Sequence, residues 1–378
     1  MMNRDRLLPV NDQKGAALLF VIFIVGLLMI LAAEFAFTTR MEISAAINFK
    51  DDIEGYYYAL AGFQYGLTEI IGKYDGTYLG PDNQVGFYRK WYHDENQPEN
   101  PNPEVQQEWP PIPNRTGIQI TGGGFDYIIT DEQGRLNINY LESRNRQGSK
   151  TNREIFYELL VETGVEAGEQ ADIIVDSVID WVDRNDLHLL NGAESDWYEH
   201  NYEEQGFTEP YNAKNGRIDT LDELLMIRGI TPEILYGSNS IYSRDNREDE
   251  KTYAGIAPYI TVYGYHRVIN KDTAPPLLLR ILDPDTAEEE LENRQYQTQG
   301  RQNSSRTFRI EVRGYKLNSS ISHNLMAVVR RSFNRNTGGG AEIIYWNDDA
   351  PTFGQDLTQA ATTDQSADKI THYSWTEN

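Results

Sequence analysis

The chain has 378 residues, no cysteine, and 58 Asp and Glu against 34 Lys and Arg, for a net charge of −24. That length allows one large or two modest domains. The missing cysteines exclude disulfides, thiolate zinc sites and a cysteine nucleophile. The acidic balance repels phosphate backbones and so excludes nucleic acid as the main partner, while clustered carboxylates invite Ca2+, a hard cation that prefers oxygen ligands.

Residues 1–15 are polar and include Arg4, Arg6 and Lys14; Gly15 is then followed by AALLFVIFIVGLLMILAA from Ala16 to Ala33. With Phe35, Ala36 and Phe37 added, this run matches the roughly 20 residues a bilayer core requires. Three readings compete. A secretory signal peptide needs a shorter apolar core and a small-x-small cleavage site, for which Ala32-Ala33-Glu34 is a weak match. A plain signal anchor is the second. In the third, a prepilin-type leader, the cut falls directly after Gly15 and the apolar segment is retained. The positive charges before the span keep that end cytoplasmic.

The residues beyond the span favour the third reading. Phe49, Ile53, Tyr56, Leu60, Phe63, Leu67 and Ile70 alternate steps of four and three, the spacing of one helical stripe. No proline interrupts residues 16–72, which predicts one helix on the order of 80 Å long, half in lipid and half against a domain.

Residues 73–114 are rich in Gly, Pro, Asn and Asp and predict a long loop of little regular structure. Strands are expected over 117–121 and 125–130, then a turn and a short extended piece within DEQGRLNINYL (131–141). Helices are expected over 153–164, ending at Gly164, and over 169–183, with Ile173, Ile174, Ser177, Val178 and Trp181 along one stripe. The run 217–237 predicts two helices separated by Gly229. Thr220 and Glu223 form the capping box of the first, and Thr231 before Pro232 starts the second. A strand over 259–270, a capped helix over 272–283 and a polar, mobile loop over 284–304 follow. The clearest hairpin pairs 306–317 with 320–333 near Asn318 and Ser319; 341–348 adds a strand, and 349–378 lacks periodicity. Strands at both ends of a helical segment imply one sheet split by an insertion.

The densest chemistry lies in DWVDRNDLHLLNGAESDWY, which holds Asp180, Asp183, Asn185, Asp186, Asn191, Glu194 and Asp196. So many oxygen donors around a glycine, between helices, can wrap a Ca2+ ion, although the spacing is not that of an EF-hand. The bland reading is a solvated acidic loop with helix caps. The turn at Arg228-Gly229-Ile230 has a DNA-binding counterpart, but the second glycine is missing and the surroundings are acidic, so plain helical packing is expected there. The six histidines are scattered, and no HExxH, Walker-type loop or G-x-S-x-G elbow occurs. Gly122-Gly123-Gly124 and Gly338-Gly339-Gly340 read as connectors. No enzyme is expected.

QKGAALLFVIFIVG, YYYALAGFQYG, DEQGRLNINYL, IDWVDRND…NGAESDWY, IDTLDELLMIRGITPE, ITVYG…INKDTAPP and FRIEVRG…AVVRR stand in this order between about residues 12 and 348. Together they resemble the K-type minor pseudopilins of type II secretion systems. The resemblance implies an α/β (α+β) chain with a pilin-like fold: a long N-terminal transmembrane helix and a small antiparallel sheet, interrupted by a large α-helical inserted domain. It divides the sequence into a leader (1–15), the helix (16–72), a pilin-like domain (73–135 and 299–348), the insertion (136–298) and a flexible tail (349–378). It implies structural Ca2+ on Asp183, Asp186, Glu194 and Asp196, with Asp180 and Asn191 as further candidates. Asn185-Asp186-Leu187-His188 departs from the more uniformly acidic, proline-containing form expected of the family.

The resemblance also implies cleavage between Gly15 and Ala16 by a prepilin peptidase, methylation, and a single pass through the bacterial inner membrane with the C-terminal domain in the periplasm. Its implied partners are I-type and J-type minor pseudopilins, the major pseudopilin and, as a further candidate, secreted cargo. The implied role is to cap the pseudopilus tip and start its assembly. After cleavage Phe20 is the fifth residue, where most pilins and pseudopilins carry a Glu that neutralises the N-terminal amine of the subunit above. A subunit with nothing above it has no amine to neutralise, and an unpartnered carboxylate there is costly. Phe20 therefore marks the tip position. Two rival expectations share the anchor: a minor pilin of a type IV pilus or competence system, and a membrane-anchored periplasmic metal-dependent hydrolase.

Overall fold

A computed structural model describes residues 14–71, 74–79, 85–89, 116–143, 145–238, 252–296, 305–334 and 338–350. Helix α1, Lys14–Ile71, runs unbroken for 58 residues. It is the one described helix long and apolar enough to cross a membrane. Its residues Leu18 to Leu31 touch little protein, and Phe20 is as exposed as its neighbours. Burial starts at Asp51.

The docking face keeps the second half of the expected stripe, with Phe63 and Ile70 buried and Leu60 and Leu67 packed against the same core, but not its start. Phe49 and Ile53 stay exposed, whereas Gly55, Ala59, Gly62 and Gly66 lie against the sheet. A Cβ on Gly62 would stand 2.6 Å from Val312 Cγ1 and 2.7 Å from Phe125 Cδ2. Small residues let the helix backbone approach strand residues that themselves carry bulk, which a count of large apolar side chains does not reveal.

After α1 come a hairpin of β1 (Tyr74–Leu79) and β2 (Val85–Arg89), then β3 (Ile118–Ile120) and β4 (Gly123–Asp131). The insertion begins with β5 (Leu136–Asn137) and the hairpin β6 (Arg146–Gln147) and β7 (Lys150–Thr151). Its helices are α2 (Asn152–Glu162), α3 (Glu169–Val182), α4 (Ser195–Asn201) and α5 (Pro232–Tyr236). Strand β8 (Ile260–Thr261), α6 (Pro276–Leu282) and α7 (Ala287–Tyr296) complete it. The chain closes with β9 (Thr307–Lys316), β10 (Ser322–Asn334) and β11 (Gly338–Asn347).

The main sheet has the order β11-β10-β9-β4-β3, antiparallel throughout, so β4 from before the insertion pairs with β9 from after it. The chain is a mixed α/β protein with two apolar cores. One joins α1 to the sheet through Phe63, Ile70, Tyr127, Ile129, Phe308 and Ile310. The other fills the inserted region around Phe156, Leu159, Val178, Trp181, Tyr198 and Tyr259.

Polar side chains bind the two units at their seam. Asp131, at the end of β4, accepts from Gln133 N (2.8 Å), Thr273 Oγ1 (2.8 Å), Ser305 Oγ (2.5 Å) and Asn270 Nδ2 (3.1 Å). The fully buried Glu132 lies 2.6 Å from Arg135 Nη1 and 2.7 Å from Arg309 Nε. Burial opposes its ionisation, yet the two guanidiniums hold it below the ordinary carboxylate range.

Several expected elements differ. The 73–114 segment holds the β1–β2 hairpin, two runs too short to show a period; 98–113 lie outside the described residues. Thr220 makes no capping bond and 221–226 form a 3-10 turn, because Glu223 is engaged by Trp181 Nε1, Lys214 and Asp219 N. Only β8 is extended within 259–270. The carbonyls of Val262, Tyr263 and Gly264 accept side-chain donors from Asn137, Asn139 and Arg217 instead of a neighbouring strand. Helix α6 has no side-chain cap, and α7 occupies part of the expected loop 284–304. Gly229, at φ +84°, packs its Cα face on Ile174 of α3, as plain helical packing requires. Of the C-terminal tail, 351–378 lie outside the described residues.

Candidate metal centre

Helix α3 ends on an acidic turn. Its apolar stripe buries Ile174, Val178 and Trp181, and this rotation also turns Asp176 and Asp180 inward. Both are buried, and they meet different fates. Asp176 is paired with Arg153 Nη2 at 2.5 Å and also accepts from Asn191 N at 3.2 Å. Asp180 accepts only the amide of Leu189, at 3.1 and 3.0 Å, among the bonds the structure gives it.

Asp183, the C-cap of α3, and Glu194, the residue before α4, complete a group with Asp180. Each of the three offers an oxygen within 4.8 Å of the others. Glu194 is 2% exposed, and neither carboxylate oxygen has a hydrogen-bond partner among the described residues. Burial pushes Glu194 up to about 8, reinforced by Asp180, Asp183, Asp186 and Asp196. Burial likewise raises Asp180 to about 6, with Asp183 and Asp176 adding to the rise and the Leu189 amide opposing it. A buried carboxylate with no partner is costly, and three converging ones are costlier. An oxygen-preferring cation in their midst would supply the missing counter-charge, so the donor set fits Ca2+.

The loop between the helices is built to hold this turn. Asp183 Oδ1 accepts from Asn185 N at 2.9 Å, and Asn185 Oδ1 from Leu187 N at 3.0 Å. Arg228 Nη1 donates to the carbonyls of Gly192 (3.2 Å) and Asn191 (3.4 Å) while its Cζ lies 5.0 Å from the Trp197 ring centroid. A Cβ on Gly192 would fall 1.8 Å from Asp180 Oδ2, so no other residue fits that position without moving the carboxylate.

Of the six metal candidates, the structure brings together Asp180, Asp183 and Glu194. The other three turn elsewhere. Asn191 directs its carboxamide to Asp176 at 3.3 Å. Exposed Asp196, in the first turn of α4, accepts from the adjacent Trp197 N at 2.9 Å. Exposed Asp186 accepts from Asn215 Nδ2 at 2.7 Å, and with Asp196 it acts on Glu194 only through its charge. Asn215 was not a sequence candidate. It holds a left-handed φ of +48°, and its Oδ1 is buried with no partner among the described residues. The Lys214-Asn215-Gly216 turn signal was its only trace in the sequence. Gly15 and Ala16 fall in the first turn of α1, where side chains lie outside the described residues.

Residues 134–237, which include this centre, match the family described as Type II secretion system (T2SS), protein K. The chain is 24% identical over 227 residues to a protein of Escherichia coli (strain K12) that carries the name of type II secretion system protein K, covering 59% of this chain and 60% of that one. It is also 24% identical over 223 residues to the type II secretion system protein K of Klebsiella pneumoniae, covering 58% and 59%. The chain thus spans about three fifths of the length of these relatives. Among solved structures it is similar to a chain in the crystal structure of the GspK-GspI-GspJ complex from the enterotoxigenic Escherichia coli type 2 secretion system. That likeness has a TM-score of 0.43 at 14% identity and covers 61% of this chain and 81% of the other.

Proposed function

We propose that this chain, which matches the type II secretion system protein K family over residues 134–237, is a minor pseudopilin that caps the tip of a periplasmic pseudopilus and helps start its assembly. The observation that carries this reading is the division of α1. Its first half is apolar and exposed, as a membrane or filament segment must be, and its second half is fixed to a sheet from which a bulky helical region is built out. The bulk would block a further subunit above, and Phe20 leaves no buried carboxylate waiting for one. The protein acts as a structural partner with no catalysis of its own. It sits in the inner membrane with its folded part in the periplasm and joins I-type and J-type minor pseudopilins above the major pseudopilin. Asp180, Asp183 and Glu194 hold a structural Ca2+ ion that fixes the loop between α3 and α4.

N-terminal sequencing of the mature protein tests the processing class: a start at Ala16 is expected, and a start near Glu34 would overturn it. Co-purification tests the system. Recovery with the pseudopilins of a secretion system is expected, and recovery with a major pilin instead would favour the type IV pilus alternative. Deleting 136–298 should leave a protein that inserts but does not cap; unaffected pseudopilus assembly and secretion would sink the capping role.

A further inference from the structure

Away from the carboxylate centre, arginines and tyrosines alternate in an unbroken row. Arg267 Cζ lies 5.3 Å from the ring centroid of Tyr140, and Arg217 Cζ lies 5.2 Å from the same ring. Arg217 Cζ is also 5.0 Å from the ring of Tyr265, which has Arg330 Cζ at 5.4 Å on its other contact. Four segments far apart in sequence supply these residues: the turn at 138–140, the 214–218 segment, the loop after β8 and strand β10.

Arg135, Arg153, Arg280, Arg309 and Arg313 each take a carboxylate, and within the row Arg330 takes Glu342. Arg217 instead donates to Tyr140 Oη at 2.8 Å and to the Gly264 carbonyl at 3.0 Å. Neither it nor Arg267 makes an ion pair among the described residues. The loop after β8 is also outward-facing: Tyr265 is 65% exposed, Val268 is 50% exposed, and Arg267 is exposed between them. A cleft of about 460 Å³ opens beside the row, lined among others by Tyr140, Arg267, Asn139, Ser143 and Asn145, with Glu142 and Asp183 also on its wall.

We propose that this row is a docking surface for an acidic segment of a partner protein. A role as a brace between insertion and sheet accounts for Arg217 and Arg330, which are bonded on both sides. It does not account for Arg267 or for the open face of Tyr265. Guanidiniums held against rings are pre-organised, so less freedom is lost when each takes a carboxylate. Arg and Tyr are the residue types that concentrate binding energy at interfaces. On a chain of net charge −24, the exposed Arg267, which makes no ion pair among the described residues, marks where an anionic partner can approach.

The test uses the full chain in lipid nanodiscs with EDTA present, so that no cation at Asp180, Asp183 and Glu194 can recruit carboxylates. Fluorescent hexaglutamate and hexalysine peptides, both capped at their termini, are titrated by anisotropy. Saturable binding of hexaglutamate is expected, weakened at least tenfold by Arg267→Glu and less by Tyr265→Ala, with Arg280→Glu on α6 unchanged. Arg267 is exposed, so that variant should keep the wild-type melting temperature, and a melt run alongside verifies it. No saturable hexaglutamate binding, or equal affinity in Arg267→Glu and wild type, would overturn the proposal. So would an equal loss in the Arg280→Glu control.

Discussion

Glu194→Gln in the metal-free protein gives the sharpest test of the carboxylate centre. In the folded chain without a cation, Glu194 is raised from its ordinary 4.5 to about 8. Between those values the folded state holds a proton that the unfolded state has released. Stability is therefore full below about pH 4.5 and is lost as pH rises toward 8, the reverse of an ordinary ion-paired carboxylate. At pH 7 the mismatch amounts to about 3 kcal/mol at 1.36 kcal/mol per pKa unit. Asp180, raised to about 6, works in the same direction, and because the two repel one another their costs do not add. Glutamine keeps the shape and removes the titration. In EDTA at pH 7 the variant should melt above wild type by up to roughly 6–12 °C, the range that 3 kcal/mol gives for a region of 150–250 residues. The two should converge near pH 5. Adding CaCl2 should reverse the order, because cation binding displaces the proton and rescues only the carboxylate. Scanning fluorimetry can follow this through Trp181 and Trp197, which pack around the loop. The reasoning fails if Glu194→Gln melts below wild type in EDTA at pH 7, or if Ca2+ stabilises both proteins equally.

Three substitutions probe the scaffold. Gly192→Ala would place a methyl group 1.8 Å from Asp180 Oδ2; a loss of about 2 kcal/mol or more in urea melts, with most of the Ca2+-induced rise in Tm gone, is expected. Gly314→Ala would put a methyl 2.1 Å from Gly55 O and 2.2 Å from Ala59 N, backbone atoms that cannot step aside. It should loosen α1 from the sheet, read as faster proteolysis near Lys50 and at least about 2 kcal/mol lost. Arg309→Met leaves Glu132 buried with one fewer counter-charge; a loss of about 3–5 kcal/mol is expected, and Glu132→Gln in the same chain should restore part of it.

The sequence exposes what depends on local periodicity. Helix α1, α3 and the β9–β10 hairpin are visible because their patterns are long and regular. Helix α7 was invisible: its Glu-rich run has no apolar stripe, and its start is fixed by the Asp283 carbonyl and an Arg280–Glu288 pair. The 259–270 run carries strand-like residues, but Asn137, Asn139 and Arg217 arrive from elsewhere to take its carbonyls. The metal candidates divide for the same reason. Asp180, Asp183 and Glu194 are legible as carboxylates around a glycine. That Asn191 turns away follows from Asp176, whose place depends on Arg153 in a different helix. Asn215 lies on a separate turn, and proximity in space left no mark in the segment that holds the carboxylates.

The seam at Asp131 and Glu132 ties these observations to the proposed role. A buried Arg–Glu–Arg group is weak evidence for stability, since apolar residues of similar volume often do as well or better. Its directionality is another matter. Glu132 accepts from Arg135, just after the turn into the insertion, and from Arg309 on the strand after it. Asp131 holds Thr273 and Asn270 of the insertion together with Ser305 beside β9. Each bond has a required angle, so the insertion can take one orientation on the sheet, where an apolar seam would tolerate sliding. The sheet is fixed in turn to α1 through glycines at Gly62 and Gly314 that leave no gap. Directional bonds at the seam and close packing under the second half of α1 thus act to hold helix, sheet and inserted region in one orientation. A blocking domain needs a fixed orientation: bulk that swings on its linkers excludes a neighbour only part of the time, whereas bulk locked to the helix axis excludes it at every encounter.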